Sequence, residues 1–119
     1  MGATVVIVDD HPAFRARAAQ VLEAAGYEVI GSCADGRSAL ALLATRRPDV
    51  VLLDVQLPDM DGFRVIEQLG ADEVGPAIVL VSSREAADYG GRIDRSGAVG
   101  FITKAELSAE SLADALAGP

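Results

Sequence analysis

With 119 residues, the chain has room for one domain around one core and for no second domain. Half of it is apolar, aromatics are scarce and tryptophan is absent, which argues against a disordered tail and fits an α/β globule built from Ala, Val and Leu. Eighteen acids against ten bases give a net charge of −8, which repels phosphate backbones and anionic lipid, so direct binding of nucleic acid or membrane by this domain is not expected.

Cys33 is the only cysteine, so no intrachain disulfide can form and a reducing cytoplasm suits the chain. No basic stretch precedes an apolar run at the N-terminus, and no apolar segment approaches the roughly 20 residues of a membrane span. A cytoplasmic location is therefore expected.

The first apolar run, Thr4 to Val8, predicts a β-strand, and Asp9-Asp10 follow it directly. Phe14, Ala18, Val21, Leu22 and Ala25 then recur at helical spacing, predicting a helix over Pro12 to Ala25 that Gly26 stops. Glu28 to Cys33 reads as the second strand. Asp35 can cap a second helix carrying Leu40 and Leu43, which ends before Pro48 because the residue preceding proline disfavours helical geometry.

Val50 to Leu53 is the third strand, with Asp54 behind it; Asp59, Asp61 and Gly62 read as turn and helix-start residues before a third helix marked by Val65, Ile66 and Leu69. Ala77 to Val81 is the fourth strand, followed by Ser82-Ser83. The helix expected over Arg84 to Ser96 holds Gly90 and Gly91 in its middle, each costing about 1 kcal/mol against alanine, and should be the softest element. Ala98 to Ile102 is the fifth strand, ahead of Thr103-Lys104. Ser108 can cap a last helix bearing Leu112 and Leu116, which Gly118 and Pro119 break, as at the start of a linker.

Five alternations of strand and helix describe a parallel sheet with crossover helices on both faces. The continuously apolar runs Val5-Val6-Ile7-Val8, Val50-Val51-Leu52-Leu53 and Ile78-Val79-Leu80-Val81 are expected to be its central strands. In such a sheet the carboxyl ends of the strands share one edge, and ligands bind in the crevice outside it. Asp9, Asp10, Asp54, Ser82 and Lys104 all sit at strand ends and are expected to meet there.

Three converging carboxylates repel one another and need a cation to remain ionised. Oxygen ligands with open positions suit Mg²⁺, which keeps waters and accepts a phosphate oxygen. Lys104 adds a mobile positive charge and Ser82 a hydroxyl donor, together a phosphoryl-transfer site in which catalysis is positioning and charge neutralisation. Asp54 ends a buried central strand and is the natural nucleophile.

The segments Val8-Asp9-Asp10-His11-Pro12, Leu52 to Gly62, Val81-Ser82-Ser83 and Gly97 to Lys104, in this order and each at a strand end, resemble the signatures of the response-regulator receiver family. The resemblance spans essentially residues 1–119 and implies a (βα)5 flavodoxin-like, doubly wound five-stranded sheet of order 2-1-3-4-5. It implies Asp54 as the phosphorylated aspartate, Asp9 and Asp10 as the acids holding Mg²⁺, and Gln56 as a Mg²⁺ ligand through its backbone carbonyl. Ser82 matches the hydroxyl switch position, Phe101 the aromatic switch and Lys104 the phosphate-contacting lysine.

It further implies a signalling domain rather than a turnover enzyme, with a sensor histidine kinase as phosphodonor. Its output would run through the fourth helix, fifth strand and fifth helix to a downstream effector or to a C-terminal domain of a longer chain. The Asp9-Asp10-His11-Pro12 start resembles receivers that precede a LuxR-type helix-turn-helix. Phosphorylation-dependent homodimerisation stays open.

Phe101 lacks the hydroxyl of a tyrosine, so it can pack but not hydrogen-bond. Ala105 stands where many receivers carry a cis proline, and the Lys104–Ala105 bond is expected to be trans. His11 reads as a surface or capping residue, since the phosphodonor histidine belongs to the partner. Two other readings share parts of the chemistry. A haloacid-dehalogenase-type phosphatase needs a second acid that Asp54-Val55-Gln56-Leu57-Pro58 lacks, and a flavodoxin-like cofactor binder needs a hydroxyl- and glycine-rich loop where Asp9-Asp10-His11 stands.

Overall fold

The computed structural model describes residues 2–70 and 75–117. Five strands, β1 (Thr4–Val8), β2 (Glu28–Cys33), β3 (Val50–Asp54), β4 (Ala77–Ser82) and β5 (Gly100–Thr103), form one parallel sheet of order β2-β1-β3-β4-β5. The three continuously apolar runs occupy its interior positions, as their two-sided burial demands.

Helices α1 (Pro12–Ala24) and α5 (Ala109–Ala117) cover one face, where Phe14, Ala18, Leu22 and Leu112 pack on Val5, Ile7, Leu52, Val79 and Val81. On the other face α2 (Gly36–Leu43), α3 (Gly62–Leu69) and α4 (Arg92–Ser96) meet Val6, Val8, Val51, Leu53 and Leu80. Alternate side chains of each central strand feed opposite cores, so both faces are sealed.

Local chemistry sets the ends. Gly26 takes φ 94°, the left-handed geometry that closes α1. Asp35 Oδ1 accepts from Ser38 N at 2.7 Å, Asp61 Oδ1 from Arg64 N at 2.9 Å and Ser108 Oγ from Ser111 N at 3.0 Å, capping α2, α3 and α5. The Lys104–Ala105 bond is trans, as is every described peptide bond. Gly118 and Pro119, expected to break the last helix, lie outside the described residues.

Two expectations need correction. The crossover expected as one helix from Arg84 to Ser96 is split into a 3₁₀ turn at Ala86–Tyr89 and the short α4, because Gly90 turns to φ 58° and Gly91 becomes the residue before the new helix. The fifth strand pairs from Gly100 rather than Ala98 and runs on to Thr103, which lies opposite Ser82. β3 and β4 likewise extend one residue further, to Asp54 and Ser82.

Candidate functional site

Strand register brings the polar ends together. Val8 pairs with Leu53, so the next residues, Asp9 and Asp54, emerge side by side; Asp54 lies opposite Val81, and Ser82 opposite Thr103, which hands the chain to Lys104. Asp9, Asp54 and Ser82 are buried where each strand leaves the core, and they are the only buried polar or charged side chains among the described residues.

The Lys104 ammonium reaches into this group, 2.6 Å from Asp9 Oδ2 and 3.2 Å from Asp54 Oδ2, and lies over the Phe14 ring, 4.8 Å from its centroid. Asp54 Oδ1 accepts from Gln56 N at 3.1 Å, which fixes the turn that puts Gln56 at the rim of the crevice. Asp9 Oδ1 accepts from His11 N at 2.8 Å, and Arg15 Nη1 donates to the Asp9 carbonyl at 2.6 Å, so α1 is tied to the end of β1.

One carboxylate oxygen from each of Asp9, Asp10 and Asp54, together with a ring nitrogen of His11, lie within 4.8 Å of one another. His11 is exposed, as expected, and is the residue before α1, yet it makes no side-chain cap. Instead its Nδ1 stands 3.2 Å from both Asp9 Oδ1 and Asp10 Oδ1, joining the acidic cluster.

The electrostatics are unbalanced. Burial, and then the neighbouring Asp9 charge, push the Asp54 carboxyl up to about 6, against the opposing pull of the Gln56 N–H and Lys104. Burial works against the charge on Lys104, but its hydrogen bond to Asp9 and the charge of Asp54 outweigh that and raise its pKa.

Asp10 Oδ1 is buried without a hydrogen bond, and Asp9 Oδ2 has the ammonium beside it but no other partner. Under-partnered carboxylate oxygens of buried Asp9 and half-buried Asp10, beside the buried Asp54, are the donor set of a hard cation, so these residues fit Mg²⁺.

The structure thus gathers Asp9, Asp10, Asp54, Gln56 and Lys104 at one crevice. It directs Ser82 elsewhere: Ser82 Oγ accepts from Arg84 N at 3.0 Å and shares a 2.6 Å hydrogen bond with the Tyr89 hydroxyl, with none to Asp54 or Lys104 among the described residues. Phe101 packs against the Tyr89 ring at 6.0 Å.

Tyr89 escaped sequence reasoning, and Gly62 was read only as a turn and helix-start residue. A Cβ on Gly62 would lie 2.7 Å from the Asp54 carbonyl oxygen, so only glycine lets the returning chain close on Asp54 and donate Gly62 N to Val55 O at 2.7 Å. The Asp61-Gly62 helix start was the available signal.

Comparison with known proteins places this arrangement. The family described as response regulator receiver domain matches residues 5–117. The Fimbriae Z protein of Salmonella typhimurium is 35% identical over 103 residues, covering 86% of this chain and 49% of that protein. The DNA-binding transcriptional activator EvgA of Escherichia coli is 33% identical over 101 residues, covering 85% and 50%.

The chain therefore spans about half the length of these relatives. Among solved structures, the chemotaxis response regulator CheY4 of Vibrio cholerae superimposes with TM-score 0.82 at 29% identity, over 98% of both chains. A LuxR-family two-component response regulator of Aurantimonas gives 0.85 at 25% identity, over 98% of this chain and 84% of that one.

Proposed function

This chain belongs to the response regulator receiver family, and on that premise we propose that Asp54 is the phosphoacceptor of a phosphorylation-activated switch. The observation that carries the assignment is the pairing of Asp54 with Lys104 at 3.2 Å beside the buried, under-partnered oxygens of Asp9 and Asp10. Asp9 shares the combination of burial, the lysine and an N–H donor on its second oxygen, and Asp54 is set apart by its place at the end of β3, the middle strand of the sheet.

Phosphotransfer breaks the N–P bond of a phosphohistidine on a sensor kinase, leaves the electron pair on the imidazole nitrogen, and forms an O–P bond to the Asp54 carboxylate. The side chains here position and neutralise. Gln56 N fixes one Asp54 oxygen, and Lys104 is placed to meet a phosphoryl oxygen when its contact with Asp54 is given up. Asp9, Asp10, Asp54 and the Gln56 carbonyl would hold Mg²⁺, which when bound neutralises the negative charge shared by the acids and the phosphoryl oxygens. Ser82 and Phe101 serve as the switch pair on β4 and β5.

We take residues 1–119 as one receiver domain that signals rather than turns over substrate. It works in the cytoplasm, a location compatible with the absence, among the described residues, of any helix long and apolar enough to cross a membrane. Its surface around α4, β5 and α5 controls a downstream effector or an output domain in a longer chain, and the similarity to EvgA, a longer DNA-binding transcriptional activator, supports the second. The family match leaves the dehalogenase-type and flavodoxin-like cofactor readings without support.

Incubation with acetyl phosphate, followed by intact mass spectrometry, tests the assignment. One phosphoryl adduct is expected with Mg²⁺ and none with EDTA; equal labelling of Asp54→Asn and the parent would overturn it.

A further inference from the structure

A serine hydroxyl has one proton and two lone pairs. At Ser82 one lone pair is taken by Arg84 N at 3.0 Å, and the remaining bond, 2.6 Å long, goes to the Tyr89 hydroxyl. The Ser82 side chain is fully buried, so water does not offer a substitute for that bond. Whichever oxygen donates, the Ser82 hydroxyl is turned toward Tyr89.

Tyr89 is held there from both sides. Its ring packs edge-on against Phe63 of α3 at 5.8 Å and obliquely against Phe101 of β5 at 6.0 Å. It ends a 3₁₀ turn that is braced internally, with Asp88 Oδ2 accepting from Glu85 N at 3.0 Å, and Gly90 follows at φ 58°. The turn is a braced unit next to a glycine pair, with Arg92 beyond it lying over the Phe63 ring at 4.3 Å and paired with Asp61 at 3.3 Å. Phe101 has no hydroxyl, so the polar tip of this aromatic cluster is supplied by Tyr89 instead.

Resting on the receiver reading above, we propose that Tyr89 is a positioning residue: in the unmodified protein its hydroxyl holds the Ser82 hydroxyl away from Asp54 and must release it when Asp54 carries a phosphoryl group. A phosphoryl oxygen is charged, and a hydrogen bond to a charged acceptor is roughly twice as strong as one to a neutral phenol. The Ser82 hydroxyl therefore changes partner. The freed phenol, half-buried between Phe63 and Phe101, then turns to water, and the turn carrying it opens about Gly90 and Gly91. What the phosphoryl group gains at Ser82 is diminished by the Tyr89 bond it breaks, so Tyr89 sets how much of the population switches.

Beryllofluoride with Mg²⁺ is the probe, titrated into the parent, Tyr89→Phe, Ser82→Ala and the double variant, each checked for native circular dichroism. Tyr89→Phe keeps the ring and removes only the hydroxyl. It is expected to bind beryllofluoride about three- to tenfold more tightly. The amides of residues 84–96 should exchange faster in the unliganded variant.

In the Ser82→Ala background the same substitution should change neither quantity, because the bond is already gone. Unchanged or weaker binding by Tyr89→Phe overturns the proposal, as does an equal gain in the Ser82→Ala background, which would assign the effect to ring packing. Failure of the parent itself to bind beryllofluoride would instead overturn the receiver reading.

Discussion

Asp59 caps a helix 23 residues away: its Oδ1 accepts from Gly36 N at 2.8 Å, and its Oδ2 from Arg37 N at 2.9 Å. The start of α2 is thus held by two aspartates, Asp35 from its own strand end and Asp59 from the loop after β3. The Gly36 and Arg37 amides hold the Asp59 carboxyl below the usual range.

A lowered folded-state pKa contributes stability that is present above the unfolded carboxyl pKa and is lost as pH falls through the folded one. Asp59→Ala should therefore lower Tm by a few degrees at neutral pH, with the deficit vanishing in acid, and should leave Mg²⁺ affinity unchanged. Asp10→Ala should do the reverse, weakening Mg²⁺ binding several-fold in a calorimetric titration. Equal effects of the two on Mg²⁺ would mean that the wrong acids are assigned to the ion.

Asp54 carries the opposite sign. Its carboxyl is raised from 3.8 to about 6 by burial and by Asp9, so the native state binds more protons than the unfolded chain across that window. Stability falls as pH rises through it and stays lower above, by on the order of 2 kcal/mol. In the metal-free protein, Asp54→Asn should raise Tm at neutral pH and make little difference near pH 4. Thermal unfolding in EDTA across the pH range measures this, and a lower Tm for the variant at neutral pH would contradict it.

The sheet and its polar edge were legible because a run such as Val50 to Leu53 has one stable environment, covered on both faces, and its end must then lie at the carboxyl edge. The convergence of Asp9 with Asp54 followed from topology alone. What stayed hidden depends on contacts with no local signature. The Asp59 carboxylate reads as a turn residue until α2 is placed above it, and Gly62 reads as a helix start until the Asp54 carbonyl is found against it. The alternation of strands and helices suggests one helix over Arg84 to Ser96, yet the Gly90 φ of 58° and the Tyr89 anchor divide it.

That division sets an expected exchange pattern. Arg84 to Ser96 carries no buried residue in either of its two short helical pieces, is interrupted by Gly90 and is followed by Gly97, both at positive φ. Few buried apolar groups and short hydrogen-bond ladders mean low local stability. Hydrogen exchange should find these amides among the fastest in the described elements, and phosphorylation or beryllofluoride should change their rates. A pattern untouched by either would remove this segment from the output face.

Lys104 and a bound cation compensate the same charges, which allows them to be separated. The ammonium is the only positive group 2.6 Å from Asp9 Oδ2 and 3.2 Å from Asp54 Oδ2 among the described residues. Removing one partner of a buried ion pair leaves the other uncompensated, at a cost of about 3 kcal/mol. Lys104→Met should therefore lose much of its stability in EDTA at alkaline pH, where Asp54 cannot escape by taking up a proton.

Millimolar Mg²⁺ binds the native site and not the unfolded chain, so it stabilises by mass action. With no ammonium competing for the carboxylates, its affinity for the variant should be higher than for the parent. The Tm gained on adding Mg²⁺ should then be larger for Lys104→Met than for the parent, while phosphoryl labelling by acetyl phosphate stays impaired because the positive group facing the phosphoryl oxygen is missing. Equal Mg²⁺-dependent gains in the two proteins would show that Lys104 and the cation do not share these carboxylates, and the site would have to be drawn without the lysine.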